Sequence, residues 1–346
     1  KIKNQKSKIK SKENAINTQQ LTMSNDLPRV FVLLGDGEMA EGSAWEAINI
    51  ASHYQLDNLV AIVDVNRLGQ SQETMLGWDT KTYEKRFAAF GWNTVVIDGH
   101  DYKQIADAFA HITNNKEQKT KKPYAIIAKT IKRKGVSFLE NKDGWHGKPV
   151  PKEQLAEALK ELGEVDLGVR GKIARPSVML NSFQHLKKTL KQVQGDVVNY
   201  KLGDQIATRK AYGTALARLG SLYPQVVALD AEVKNSTYAE IFKEKFPDRF
   251  FEMFIAEQNM VSSAVGFARL GYVPFVSSFA CFLTRGFDQM RMAALSLANV
   301  KFCGSHAGVS IGEDGPSQMG LEDISMFRSL FGSVVLYPAD AVATEK

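Results

Sequence analysis

Short apolar runs, separated by longer stretches of helical period, set the pattern of this chain. Val30 to Leu34, Leu59 to Asp64, Thr94 to Ile97 and Tyr124 to Ala128 are compact blocks rich in Val and Ile, with the length and composition of buried strands. Between them, apolar residues recur three and four apart. Ser43 to Tyr54 brings Trp45, Ile48, Ala51 and His53 near one another on a helix, and Tyr83–Phe90 and Tyr102–Ile112 continue the alternation. Strand and helix in turn predict a parallel sheet wound on both faces. Pro149, Pro151 and the charged stretch after them mark the end of this block.

The pattern resumes at Thr208. Helices are predicted over Lys210–Leu219, Tyr238–Phe246, Gln258–Leu270 and Arg285–Ala298. Strands are predicted over Gln225–Leu229, Val273–Val276 and Val300–Cys303, with a last strand signal at Ser333–Leu336. The expected fold class is α/β, as two doubly wound parallel-sheet domains. Residues 164–206 differ in character and read as a linker or insert. Arg170, Lys172, Arg175, Lys187, Lys188 and Lys191 outnumber the acids there, while Phe183, Leu186, Leu190 and Val193 fall at the spacing of one amphipathic helix. Leu180 to Asp196 also resembles translated repeat elements inserted in bacterial reading frames, which would make it a passenger without chemistry.

Composition narrows the classes. A chain of 346 residues with 44% hydrophobic and 24% charged side chains can hold two cores. No apolar run reaches the ~18–20 residues that span a bilayer, and no hydrophobic signal segment opens the chain. Cys281 and Cys303 make neither a metal nor a disulfide pattern, so a reducing cytoplasm is the expected compartment. The net charge of +6 is matched by Lys1, Lys3, Lys6, Lys8, Lys10 and Lys12, with no acid among them. Residues 1–28 therefore read as a basic, disordered tail on a nearly neutral body. The tail lacks interleaved aromatics on which bases could stack. Neither nucleic acid nor membrane is expected as a partner.

The candidate chemistry begins with Leu34-Gly35-Asp36-Gly37-Glu38, followed just under thirty residues later by Asp64-Val65-Asn66-Arg67-Leu68. Each motif ends a predicted strand, and ligands of parallel sheets sit at the carboxyl ends of strands. The Asp36 carboxylate, the Asn66 side-chain oxygen and a backbone carbonyl near Leu68 would meet there. Such hard oxygens suit a magnesium ion that completes its shell with phosphate. Gly35 and Gly37 would let the backbone approach a diphosphate closely.

This spacing resembles the thiamine diphosphate signature of the transketolase superfamily. Further blocks carry the resemblance to the transketolase family and its animal-type branch: Glu38 to Ala47, Asn66 to Ser71, Trp145-His146-Gly147-Lys148-Pro149, Ala207 to Gly213, Ile255 to Met260 and Gly304-Ser305-His306. It covers roughly residues 29–163 and 197–346. It implies two domains of the thiamine diphosphate-binding fold: a diphosphate-binding domain over 29–163, incomplete at its start, and a truncated pyrimidine-binding domain over 207–346. Family members extend further at both ends, so a fragment of a longer reading frame is expected.

The resemblance also implies roles. Asp36, Asn66 and the Leu68 carbonyl match the magnesium ligands, and Gly37, Asn66, Lys132, His146, Phe279, Phe282 and Gln318 match contacts to thiamine diphosphate. Glu257 matches the glutamate that hydrogen-bonds the pyrimidine ring nitrogen, so that the 4-amino group, as its imino tautomer, takes the thiazolium proton. That role needs a protonated carboxyl, and burial is expected to raise its pKa. His146 matches a proton shuttle that also reaches the substrate. Arg209 and Ser236 match residues holding a sugar phosphate, for which a guanidinium fork and a hydroxyl are suited, and His306 and Asp314 match substrate-hydroxyl contacts. The implied activity is transfer of a two-carbon ketol unit from a ketose phosphate to an aldose phosphate, in the pentose phosphate pathway. The implied assembly is a homodimer with sites at the subunit interface. Another thiamine diphosphate enzyme, such as a deoxyxylulose-phosphate synthase, and an inactive fragment are the alternatives.

Overall fold

Alternate residues of one central strand supply the cores on the two faces of the first sheet. The computed structural model describes residues 28–114, 120–164, 168, 200–201 and 203–346. The tail expected over 1–28, apart from Pro28, and most of the segment 164–206 lie outside the described residues. β1 (Val30–Gly35), β2 (Leu59–Val65), β3 (Asn93–Asp98) and β4 (Tyr124–Lys129) pair in parallel in the order β1-β2-β4-β3. Ala61, Val63 and Val65 of β2 join Ala125 and Ile127 of β4 on one face. There they meet Ile48 and Ala51 of α1 (Gly42–His53) and Tyr83 and Phe87 of α2 (Thr80–Ala89). On the other face Val60, Tyr124, Ile126 and Ala128 pack on Ala108 and Ile112 of α3 (Tyr102–Asn114). Both faces are covered, which is why these strands read as unbroken apolar runs. α4 (Lys152–Leu162) then folds back, placing Ala158 against Val136 and Leu139.

The second unit repeats the plan. After α5 (Thr208–Leu222), the parallel sheet has the order β6-β5-β7-β8, formed by β5 (Val226–Asp230), β6 (Phe250–Glu252), β7 (Val273–Phe279) and β8 (Lys301–Ser305). Val227 and Leu229 face α8 (Glu257–Arg269) and α9 (Phe287–Leu295). Val226 and Ala228 face Leu216 of α5 and Phe242 of α7 (Glu240–Lys245). Two short helices, α10 (Asp323–Arg328) and α11 (Ala341–Glu345), follow β8.

Three expectations need correction. The predicted helix Tyr238–Phe246 forms but is shorter, as α7, and the sequence reading missed α6 (Lys234–Thr237) before it, which stops at Tyr238 with a left-handed φ of 60°. Arg285–Ala298 opens as a 3-10 turn, Phe282–Gly286, and is α-helical only over α9. Ser333–Leu336 is irregular rather than a strand. An apolar run becomes a strand only where a neighbour supplies the ladder. The sheet of described strands closes at β8, and Val334 and Leu336 stand 84% and 81% exposed.

The units touch through α1. Ile50 packs into the core of the second unit, His53 lies edge-on to Phe254 at 4.9 Å, and the Tyr54 hydroxyl donates to the Glu252 carbonyl at 2.8 Å. Among the described residues no helix is long and apolar enough to cross a membrane.

Candidate active site

Because β1, β2 and β4 are parallel neighbours, their carboxyl ends deliver Asp36, Asn66 and Thr130 to Lys132 to one edge of the sheet. Asp36 is 4% exposed, and its Oδ2 accepts from the Arg67 backbone at 2.7 Å and from the Thr74 hydroxyl at 2.9 Å. Burial raises this carboxyl above its ordinary value. Bonds from Thr74, Arg67 and Gly37 oppose that rise, and the Asp64 charge adds to it. The Asn66 amide is oriented at both ends, donating to Asp64 Oδ2 at 3.0 Å and accepting from the Leu68 N–H at 3.1 Å. Asp64 also accepts from the Thr130 hydroxyl.

Arg67 turns the chain between these residues with a left-handed φ of 64°, a conformation that costs a non-glycine residue about 1–2 kcal/mol. Its guanidinium is held by Asn141 Oδ1 at 3.0 Å and by Glu73 at 3.3 Å. The Lys132 ammonium donates to the Leu68 carbonyl at 2.7 Å and lies 3.4 Å from Nδ1 of the exposed His146. Gly37 has an ordinary φ of −65°, and a Cβ there would meet only the Thr74 methyl at 3.8 Å. The fold itself does not require glycine at this exposed position, so the bare backbone suits the approach of something from outside.

The second edge gathers the other predicted residues. The Phe279 and Phe282 rings stack at 4.9 Å, 1° from parallel, and Phe279 lies 4.1 Å from the His306 ring. His306 follows β8 with a left-handed φ of 56°. Its Nδ1 is 2.9 Å from the Ser305 hydroxyl, and its Nε2 is 3.4 Å from Arg209 Nη1. Burial first, and then the Arg209 charge, hold this imidazole below its ordinary value, while Asp314 pulls the other way. Arg209, in the first turn of α5, also donates to the Ser236 carbonyl at 3.2 Å and sits over the Tyr238 ring. Ser236 thus engages Arg209 through its backbone. The exposed Asp314 acts on the group through its charge, and Gln318 accepts from its neighbour Ser317.

Glu257 opens α8, is 4% exposed, and accepts from Arg285 at 3.3 Å. Glu46 of α1 reaches the same region. It accepts from the Asn259 N–H, and burial followed by the Glu257 charge raises its carboxyl. The Glu46 and Arg285 partners, like Asp64, Thr74 and Thr130 at the first edge, went unassigned in the sequence reading. Glu46 lay inside the block Glu38 to Ala47, but nothing in the sequence indicated its contact across the domains.

The predicted residues therefore form two sets, one on each sheet edge. Among the described residues no hydrogen bond, ion pair or ring contact joins Asp36, Asn66, Lys132 and His146 to Arg209, His306, Phe279 and Phe282. Nor do three or more His, Cys, Asp or Glu side chains group there as a metal site. The candidate donor set mixes a carboxylate, an amide and a carbonyl.

Comparison with known proteins matches both halves. Residues 8–191 match the model of the transketolase thiamine diphosphate binding domain, and residues 204–346 match the transketolase pyrimidine binding domain. Human transketolase is 51% identical over 325 residues, which cover 92% of this chain and 50% of the human protein. A transketolase structure from Campylobacter jejuni superposes with a TM-score of 0.74 at 26% identity, covering 91% of this chain and 53% of that one. A transketolase mutant from Pichia stipitis, in complex with xylulose 5-phosphate, shares the fold with a TM-score of 0.68 at 20% identity, covering 92% and 54%. The chain spans about half the length of the curated relatives it matches.

Proposed function

The chain belongs to the transketolase family, and from that premise we propose that its two sheet edges are the complementary halves of a site for ketol transfer. The reaction moves a two-carbon unit from a ketose phosphate to an aldose phosphate with thiamine diphosphate, as in the pentose phosphate pathway. Residues 29–163 form the diphosphate half and residues 207–346 the pyrimidine half, with 164–206 between them.

The donor chemistry supports the cofactor. A carboxylate buried beside a second carboxylate, and bonded by neutral donors only, suits a hard divalent cation. Asp36, Asn66 and the Leu68 carbonyl would hold magnesium. A carbonyl has two lone pairs, so Leu68 can serve both a metal and Lys132. Gly37, Lys132 and Gln318 would meet the cofactor, and the parallel Phe279 and Phe282 rings would flank its pyrimidine.

When bound, thiamine diphosphate supplies the carbon nucleophile that takes up the two-carbon unit. The chain's own residues bind, orient and move protons around it. Glu257 would turn one carboxyl oxygen to the pyrimidine while its Oε2 keeps the bond from Arg285. His146, tethered loosely through Lys132, exchanges protons with the substrate hydroxyls. Arg209 and the Ser236 segment take the sugar phosphate, and His306 and Asp314 read the hydroxyls near the carbonyl. His306 is held low by burial and by Arg209, so it meets those hydroxyls as a neutral imidazole near neutral pH.

The observation that carries the reading is the meeting of Arg209, His306, Phe279 and Phe282 at one sheet edge. Two edges without a shared contact favour a homodimer in which each site draws on both chains. The free thiols Cys281 and Cys303 favour a reducing cytoplasm. A coupled assay tests the reaction. Turnover of xylulose 5-phosphate with ribose 5-phosphate is expected from the full-length protein. Turnover only of pyruvate with glyceraldehyde 3-phosphate would overturn the reading.

A further inference from the structure

Asp230 ends β5 with 0% exposure and belongs to none of the contacts assigned above. A carboxylate so deeply buried is costly unless bonded, and is a poor choice for packing alone. Here it bonds at both oxygens, each time to the segment that follows it. Oδ1 accepts from the Val233 N–H at 2.7 Å, and Oδ2 accepts from the Thr237 hydroxyl at 2.8 Å. Glu252, its partner on β6, completes the support: it accepts from the Glu232 N–H at 2.9 Å and from the Lys234 ammonium at 2.8 Å.

The segment held in this way is bent at two non-glycine residues. Glu232 and Tyr238 are left-handed, with φ of 65° and 60°. Between them, the Ser236 and Thr237 N–H groups both return to the Val233 carbonyl at 2.9 Å. The Ser236 carbonyl thereby faces Arg209, and the Tyr238 ring lies beneath the guanidinium at 5.4 Å. The helix that carries Arg209 is pressed onto the same segment. A Cβ on Gly213 would stand 2.3 Å from the Tyr238 carbonyl oxygen.

We propose that Asp230 is a positioning residue: its buried carboxyl fixes residues 231–237 in the shape that lets Ser236 and Tyr238 aim Arg209 at the sugar phosphate. The inference rests on the reading of Arg209 as the phosphate contact. Two bonds to one buried acceptor, at Val233 and at Thr237, leave the segment little freedom to collapse toward the core or to swing out. Burial pushes the Asp230 carboxyl up to about 7, with the bonds from Thr237 and Val233 opposing and the charges of Glu252 and Lys234 acting in opposite directions.

Amide hydrogen exchange and binding of ribose 5-phosphate by the 346-residue chain test the proposal. Asp230→Ala is expected to speed exchange at Val233 and Ala239 about tenfold and to weaken ribose 5-phosphate about as much, the loss of roughly one charged hydrogen bond. Exchange within β7 should stay at the wild-type rate. Asp230→Asn should rescue both readouts, because its amide oxygen accepts from Val233 and its amide nitrogen can donate to Thr237 Oγ1. Thr237→Val removes one bond without touching the carboxylate, and should loosen the segment even if Asp230→Ala does not fold. Wild-type exchange in Thr237→Val, or equal loss of protection in the segment and β7, would overturn the positioning role. A wild-type chain that binds no ribose 5-phosphate while the exchange pattern holds would overturn the phosphate reading and leave the aiming of Arg209 standing.

Discussion

The Tyr54 hydroxyl donates to the Glu252 carbonyl at 2.8 Å across 198 positions of sequence. It joins the end of α1, which starts just after the Gly-Asp-Gly turn, to the last residue of β6. Glu252 in turn holds Glu232 and Lys234, so the bond ties the C-terminal end of α1 to the segment that leads to Ser236. Tyr54→Phe should lower the stability of the chain by about 0.5–1.5 kcal/mol, the worth of one net hydrogen bond. Denaturant unfolding read separately at each half checks this. Unchanged midpoints in both halves would show that the contact carries no coupling.

Asp36→Asn keeps the size and the Thr74 and Arg67 bonds but removes the charge from a buried site. Magnesium-dependent binding of thiamine diphosphate should be lost in the full-length protein, because Asp36 is the one charged group among the three proposed ligands. The metal-free variant should unfold no earlier than wild type, since a desolvated carboxylate has been removed. Calorimetric titration with thiamine diphosphate, with and without magnesium, reads the first outcome. Wild-type affinity in the variant would remove Asp36 from the cofactor site.

Much of this arrangement was legible in the chain, and the gaps have physical causes. Leu59–Asp64 announced itself because β2 is covered on both faces, whereas Val30–Leu34 was legible from its apolar composition alone, since Val30, Phe31, Val32 and Leu33 of β1 stand exposed. The motif at each strand end fixed where Asp36 and Asn66 would meet. β6 escaped because Phe250–Glu252 is only three residues long and follows the turn Pro247–Arg249 directly. The short helix α6 and the left-handed Tyr238 that ends it escaped because no local glycine or proline marks the turn. Ser333–Leu336 has strand composition but no partner strand among the described residues, and composition alone could not supply one. Thr74, Thr130 and Glu46 are ordinary residues whose partners lie far away in sequence. Only the fold brings Thr74 to Asp36, and Glu46 to Asn259.

Stability should depend on pH through Asp230. Its carboxyl is raised from an ordinary 3.8 to about 7 by burial, so the folded chain holds this proton more tightly than the unfolded one. A raised folded value gives a contribution present in full below the unfolded value and lost as pH climbs through the folded one. Asp230→Asn imitates the protonated acid at every pH. The variant should therefore match wild type near pH 4 and exceed it in stability above about pH 7. Thermal unfolding of both chains across that window checks the sign, and parallel curves would show that Asp230 does not titrate there.

The separation of the two sets leads to a prediction about assembly. Glu257, Phe279 and Phe282 lie on one sheet edge and Asp36 and Asn66 on the other, with no contact between the sets among the described residues. If a site takes one edge from each of two chains, Asp36→Ala and Glu257→Ala damage different halves. Each homodimer is then dead, whereas a mixed dimer keeps one site with both halves intact. Full-length subunits of the two variants, mixed under conditions that exchange chains, should regain close to the activity of one site per mixed dimer. Glu257→Gln should separately slow deuterium exchange at the thiazolium carbon of bound thiamine diphosphate while leaving its affinity near wild type, because the glutamate acts on the cofactor's reactivity more than on its anchoring. Cofactor should also favour the dimer, since it binds the assembled form better than either half. Proven subunit exchange without recovered turnover would mean that each chain builds its own site, and the two edges would then have to meet by a movement about α1.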